Sequence, residues 1–269
     1  MISREQSSRV TIPWWRRIER REMLVLVLVG VIGVYAVMVA DIMPIMVTSW
    51  IHGLGISERM AGVVATVNFA GAASGQIGAF LLLRRLSVYR IATFGLAIST
   101  LGDGGCIFAH SVGILCVMRA LGGFGHAFVA IPVLNWLARH RHADRGFGAY
   151  MVLQVAVVSP MLMAVPALQS VIGSPAPYIL LLGMTVVSLI FLPLLKLNGG
   201  DAPLARVVAP VGRVGGAARH GTSNWTRGLA MAAPALFAVA AMGDWSYLQR
   251  YGVSVGLSEV GLAAALAGC

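Results

Sequence analysis

Charge is what this sequence has least of. Only 11% of its 269 residues are Asp, Glu, Lys or Arg, and only ten are acids, where a water-soluble domain carries about 25% charged residues. With 58% hydrophobic residues and a mean hydropathy of +0.83, the chain cannot hide its apolar side chains from water inside a globule. Lipid is its solvent. Alternation of apolar and polar residues is also missing, which excludes a membrane barrel; continuous runs of about 20 apolar residues leave the helix as the spanning element. Cysteine is rare. Cys106, Cys116 and Cys269 have no metal-ligand spacing; Cys106 and Cys116 lie equally far from one turn and read as packing residues. The six histidines (His52, His110, His126, His140, His142 and His220) are scattered, so no cluster supports metal or acid–base catalysis. A membrane-embedded enzyme is disfavoured, no metal or cofactor is expected, and no soluble signalling domain accompanies the apolar runs. A cleaved signal is excluded too, because the run from Met23 to Ala40 exceeds a signal core and further runs follow it.

The apolar runs predict spans over roughly 23–42, 60–83, 88–109, 113–138, 147–170, 176–196 and 227–249, with the beginning of another at 258–269. Basic residues set the orientation. All but Arg59, Arg119 and Arg250 fall before the first span or in the second–third, fourth–fifth and sixth–seventh connections. That side is expected to be cytoplasmic, so the basic charge answers to a membrane rather than to nucleic acid. The expected location is a bacterial inner (plasma) membrane with a cytoplasmic N-terminus. Residues 198–226, rich in Gly, Ala, Pro and Arg, read as a cytosolic linker. It divides a cytosolic segment (1–22) and a six-helix bundle (23–197) from the start of a second bundle (227–269). Gly55-Ile56-Ser57-Glu58 returns as Gly256-Leu257-Ser258-Glu259, each a dozen or so residues after an acid, Asp41 and Asp244. The expectation is one six-helix unit followed by an incomplete second, a fragment of a longer protein.

Polar groups inside the spans are costly and mark candidate sites. Arg119 and His126 share a helix face and could hold a positive charge beside a titratable imidazole. Asp41, counted from the cytoplasmic side, falls in the same outer third as Arg119, so an Asp41–Arg119 pair is expected; equally, Asp41 could simply end its helix at the interface. Asp244 shares a face with Tyr247 and Tyr251. Asp103, among glycines, reads as a helix-end residue. Asn68, Gln76 and Gln154 are candidate solute contacts or interhelical hydrogen bonds. Gly71, Gly75 and Gly78 read as a close-packing stripe; Pro160 and Pro166 should bend the fifth span.

This layout resembles the major facilitator superfamily, whose two six-helix halves are related by an axis along the membrane normal. Arg119 followed by Gly123 and Gly125 looks like the family's fourth-helix motif, and the resemblance implies proton coupling or solute binding by this arginine. Asp144, Arg145 and Gly146 are similar to the family's acid-Arg-Gly start of helix five. The chain departs from the family between spans two and three: Gly78, Arg84, Arg85 and Arg90 are present, but the usual acid is not, so gating should differ. Ser159-Pro160 replaces the Gly-Pro pattern of drug–proton antiporters. The resemblance implies an all-α membrane protein that moves a small solute across a lipid bilayer by alternating access, with protons as a possible coupling partner. The alternative reading is a non-transporting membrane protein, whether a sensor, a partner subunit or a defective remnant.

Overall fold

The computed structural model describes residues 20–200, 245–248, 250–256, 258 and 261. Every regular element among them is helical: α1 (Arg20–Asp41), α2 (Met43–Leu54), α3 (Glu58–Leu82), α4 (Val88–Ile107), α5 (Val112–Arg139), α6 (Ala143–Ile172) and α7 (Ala176–Leu195). A wider π-type turn, Lys196–Gly200, follows α7. A further helical stretch occupies 245–248 and 250–254. Asp244 and most of the sequence-derived linker and second-bundle positions lie outside the described residues.

Local chemistry explains the starts and stops. Ser57, Ser87 and Ser111 each sit in extended backbone and accept a hydrogen bond from the amide three residues on, Met60, Arg90 and Ile114, satisfying one of the free donors of a helix start. The Gly-x-Ser-Glu repeat is such a punctuation mark. Gly55 ends α2 in the left-handed region at φ 64° and Ser57 caps α3. In the second copy Gly256 has φ 92° and Ser258 Oγ accepts from Gly261 N. Both copies therefore share a positive-φ glycine and a serine that accepts from the amide three residues on.

One boundary corrects the sequence reading. The first span does not end near residue 42 in a loop around His52; after a break at Ile42 the chain turns helical again through Leu54. Pro44 causes this. It is tolerated in the first turn of the new helix α2 but supplies no N–H to the carbonyl of Ala40. Ile45 N and Met46 N both turn to Ile42 O, each at 3.1 Å. α1 and α2 thus form one broken rod, and the bundle consists of six rods.

α5 is the centre of the packing, clasped by α3 and α4. Glycines allow this. A Cβ on Gly71 would lie 2.2 Å from Ala120 O, one on Gly75 2.5 Å from Phe124 O, and one on Gly123 2.1 Å from Asn68 O. On the other flank Gly102 faces Gly122, and a Cβ on Gly125 would lie 2.3 Å from Ser99 N. Gly78 is looser, since a Cβ there would lie 3.0 Å from the Phe128 ring. α1 packs on α6, α5 and α7. Apolar side chains such as Phe80, Leu101, Val117, Val152 and Ile190 remain exposed around the outside, as lipid requires. Five of the helices are long and apolar enough to cross a membrane.

Candidate functional site

Two groups of polar residues lie inside the bundle, and they differ in access. The first is closed. Arg119 on α5 is fully buried and meets Asp103 of α4, Nη1 to Oδ1 at 3.0 Å, also fully buried. Its other donors, Nη2 at 2.8 Å and Nε at 3.3 Å, go to Asn68 Oδ1 on α3. The guanidinium lies 5.8 Å from the centre of the Tyr178 ring, whose hydroxyl accepts from Trp50 Nε1. His126 Nε2 is 2.9 Å from Asp103 Oδ2, and its ring sits 4.8 Å from that of Tyr35. Tyr35 donates to Ser99 Oγ at 2.8 Å, and the Thr185 hydroxyl reaches the Tyr35 oxygen at 2.9 Å. A neutral imidazole donating through Nε2–H leaves this cluster without net charge and leaves Nδ1 without a partner.

The expected Asp41–Arg119 pair is not formed. Arg119 lies roughly 10 Å down from the start of α5, whereas Asp41 lies roughly 20 Å below the end of α2 at Leu54, by helix rise. The depth estimate from sequence failed because the rod continues beyond Pro44. Asp103 was the missed residue: it does not end a helix but neutralises Arg119. A signal was available. Asp103 and Arg119 are equidistant from Ser111 at the α4–α5 turn, as are Cys106 and Cys116, which are free thiols in the structure.

The second group is less enclosed. Asp41 is partly buried at the break in the first rod. Its Oδ2 accepts from Gln154 Nε2 of α6 at 2.9 Å, and its backbone carbonyl accepts from Trp245 Nε1 at 3.0 Å. Tyr150, one turn before Gln154, is buried against Gly33. Nearby, Tyr247 donates to the carbonyl of Glu58 at 3.1 Å and its hydroxyl fills the space over Gly62; Arg250 Nη2 meets Glu58 Oε1 at 2.5 Å. The stretch 245–254 is thereby bonded to both α1 and α3.

The remaining sequence-derived residues are dispersed. Arg84 and Arg85 are exposed after α3, Gln76 is exposed on α3, and Pro160 is exposed within α6. Asp144 is exposed and Arg145 half-exposed in the first turn of α6. At that same end Arg141 bonds Glu22 of α1, and His142 lies 3.8 Å from the other Glu22 oxygen. Partial burial lowers the pKa of His140 in this turn.

A family model, that of the Major Facilitator Superfamily, matches residues 16–269. Among solved structures, a mutant peptide transporter POT in complex with alafosfalin has a similar fold, with a TM-score of 0.58 at 16% identity; the match covers 82% of this chain and 45% of that one. The chain thus spans less than half of that protein's length, and at this identity the likeness concerns the fold alone. No curated protein matches the chain.

Proposed function

Because the chain belongs to the Major Facilitator Superfamily and is an integral, multi-pass membrane protein, we propose that it acts in secondary transport of a small solute by alternating access, coupled to protons at Asp41. The observation that carries this reading is the contrast between its two polar groups. Arg119 and Asp103 are sealed and paired, with His126 on Asp103 and Asn68 on Arg119, so they serve as a buried clamp holding α3, α4 and α5 together. Asp41, at a broken helix on the side that faces 245–254, is only partly buried and meets no counter-charge among the described residues. An ionisable group inside a membrane bundle without a counter-charge is a candidate for proton or solute exchange. Gln154 supports it as a neutral donor that orients the carboxylate without supplying counter-charge.

Orientation follows the same logic. The bundle end carrying Arg84, Arg85, Arg139 and Arg141 is the cytoplasmic end in this reading, and the Gly55–Ser57 turn faces outward. The departure between α3 and α4 also acquires a meaning: with no acid among residues 78–90, contacts at the opposite end, where Glu58 meets Arg250, carry more of the closure.

The test is proton movement in vesicles containing the protein, followed with an internal pH-sensitive dye while amines, amino acids, short peptides and sugars are added outside. Wild-type protein should acidify or alkalinise the lumen with at least one solute. Asp41→Asn should abolish that response, whereas Gln154→Glu should retain it with an altered pH profile. An unchanged response in Asp41→Asn rules out this assignment.

A further inference from the structure

The break at Pro44 leaves a backbone acceptor free beside Asp41. In an unbroken helix the carbonyl of residue 41 would receive the amide of residue 45. Here Ile45 N is turned to Ile42 O, and the donor that reaches Asp41 O is the indole of Trp245, a residue some 200 positions away in sequence at 3.0 Å. The helix carrying Trp245 is held in place by contacts at the same end of the bundle: Arg250 on Glu58, and Tyr247 seated over Gly62, where even a Cβ would approach its hydroxyl to 2.3 Å. Whatever separates 245–254 from α3 therefore also withdraws the indole from Asp41.

We propose that the Asp41 carbonyl and carboxylate together form a binding site for a cationic N–H donor, a protonated amine, and that the Trp245 indole occupies half of this site when the end near Gly55 is closed. This rests on the alternating-access reading above and names a solute class for the same site. With the indole withdrawn, Asp41 offers two acceptors, one of them charged, and its close partner Gln154 donates only to Oδ2. With its indole donor gone, the carbonyl is an acceptor without a protein partner beside a carboxylate, so the site favours a ligand that returns an N–H and brings a positive charge. An ammonium does both; a quaternary ammonium brings only the charge. The indole and the amine compete for one acceptor, and removing the indole N–H should therefore tighten amine binding rather than weaken it.

The experiment measures the stabilisation of the purified chain by three probes of similar size: benzylamine, benzyltrimethylammonium and benzyl alcohol. Benzylamine should bind tightest. Trp245→Phe, which keeps an aromatic ring and removes the donor, should tighten benzylamine binding about fivefold, the equivalent of one ordinary hydrogen bond, and leave benzyltrimethylammonium unchanged. Glu58→Gln, which loosens the closed end without touching the indole, should shift benzylamine the same way, and it decides the matter if Trp245→Phe does not fold. Asp41→Asn should abolish benzylamine binding. Equal affinity for the amine and its quaternary analogue, or unchanged or weakened amine binding in both Trp245→Phe and Glu58→Gln, overturns the proposal. Either result, combined with loss of proton movement in Asp41→Asn, leaves proton coupling at Asp41 standing while removing the amine site.

Discussion

Asp103→Asn is the sharpest perturbation of the buried clamp. The substitution keeps the shape and removes the charge that faces Arg119 at 3.0 Å. At an effective dielectric constant of 20, Coulomb's law assigns that contact about 5–6 kcal/mol, and removing one partner of a buried pair typically costs about 3–5 kcal/mol. Asn68 Oδ1 and the Tyr178 face remain beside the stranded guanidinium, but neither supplies a negative charge. The expected loss in thermal stability is on the order of 10 °C for a bundle of this size, read by static light scattering or by monodispersity after heating in detergent. Glu58→Gln is the control, because it breaks a pair whose carboxylate is 61% exposed; it should cost less than about 1 kcal/mol. A double substitution, Asp103→Leu with Arg119→Met, should recover part of the loss, since a buried pair can be replaced by apolar groups at little cost, but His126 Nε2 and Asn68 Oδ1 then lose these partners. Exchanging charges between positions 41 and 119 should recover nothing. If Asp103→Asn is no more harmful than Glu58→Gln, or if the 41/119 exchange rescues it, the clamp is misassigned.

Three further outcomes follow from the geometry. Gly123→Ala should sharply reduce the yield of monodisperse protein, because its Cβ would lie 2.1 Å from a backbone carbonyl of α3; Gly104→Ala, with nothing within 4 Å, should be tolerated or add up to about 1 kcal/mol through helix propensity. Pro44→Ala should restore a donor for the Ala40 carbonyl and slow amide exchange across residues 40–46; unchanged exchange would mean that the break has another origin. Raising salt should diminish whatever small stability Glu58 and Arg250 contribute, since exposed ion pairs are screened, while leaving the Arg119–Asp103 contribution nearly intact.

The helices, their approximate limits and the repeated Gly-x-Ser-Glu punctuation were legible because each rests on local chemistry: apolar length, a left-handed glycine, a serine cap. The pairing of the buried charges was not. It depends on relative depth, and the depth of Asp41, counted from the cytoplasmic side, was set against a span ending near residue 42, whereas the rod continues to Leu54. Asp103 was disguised by its neighbours Gly102, Gly104 and Gly105, which read as a helix terminus, whereas Gly102 packs against Gly122 and Gly105 against Met118. Tyr247 could be placed near an acid from sequence, yet its actual partner, the carbonyl of Glu58, belongs to backbone and carries no side-chain signature. Trp245 was missed for the same reason.

The Arg119–Asp103 contact also bears on how the protein is made. α4, which contains Asp103 and Arg90, is not among the five helices apolar enough to cross a membrane unaided. Only the short turn 108–111 separates it from α5, and the partner of its buried acid arrives on that next segment. During synthesis these two segments are expected to leave the insertion machinery as a hairpin rather than one after the other, their opposite charges cancelling before either meets hydrocarbon. Glycosylation-site mapping of nascent chains cut after residue 110 and after residue 140 would show it: α4 stalled at the interface in the shorter chain, seated across the bilayer in the longer.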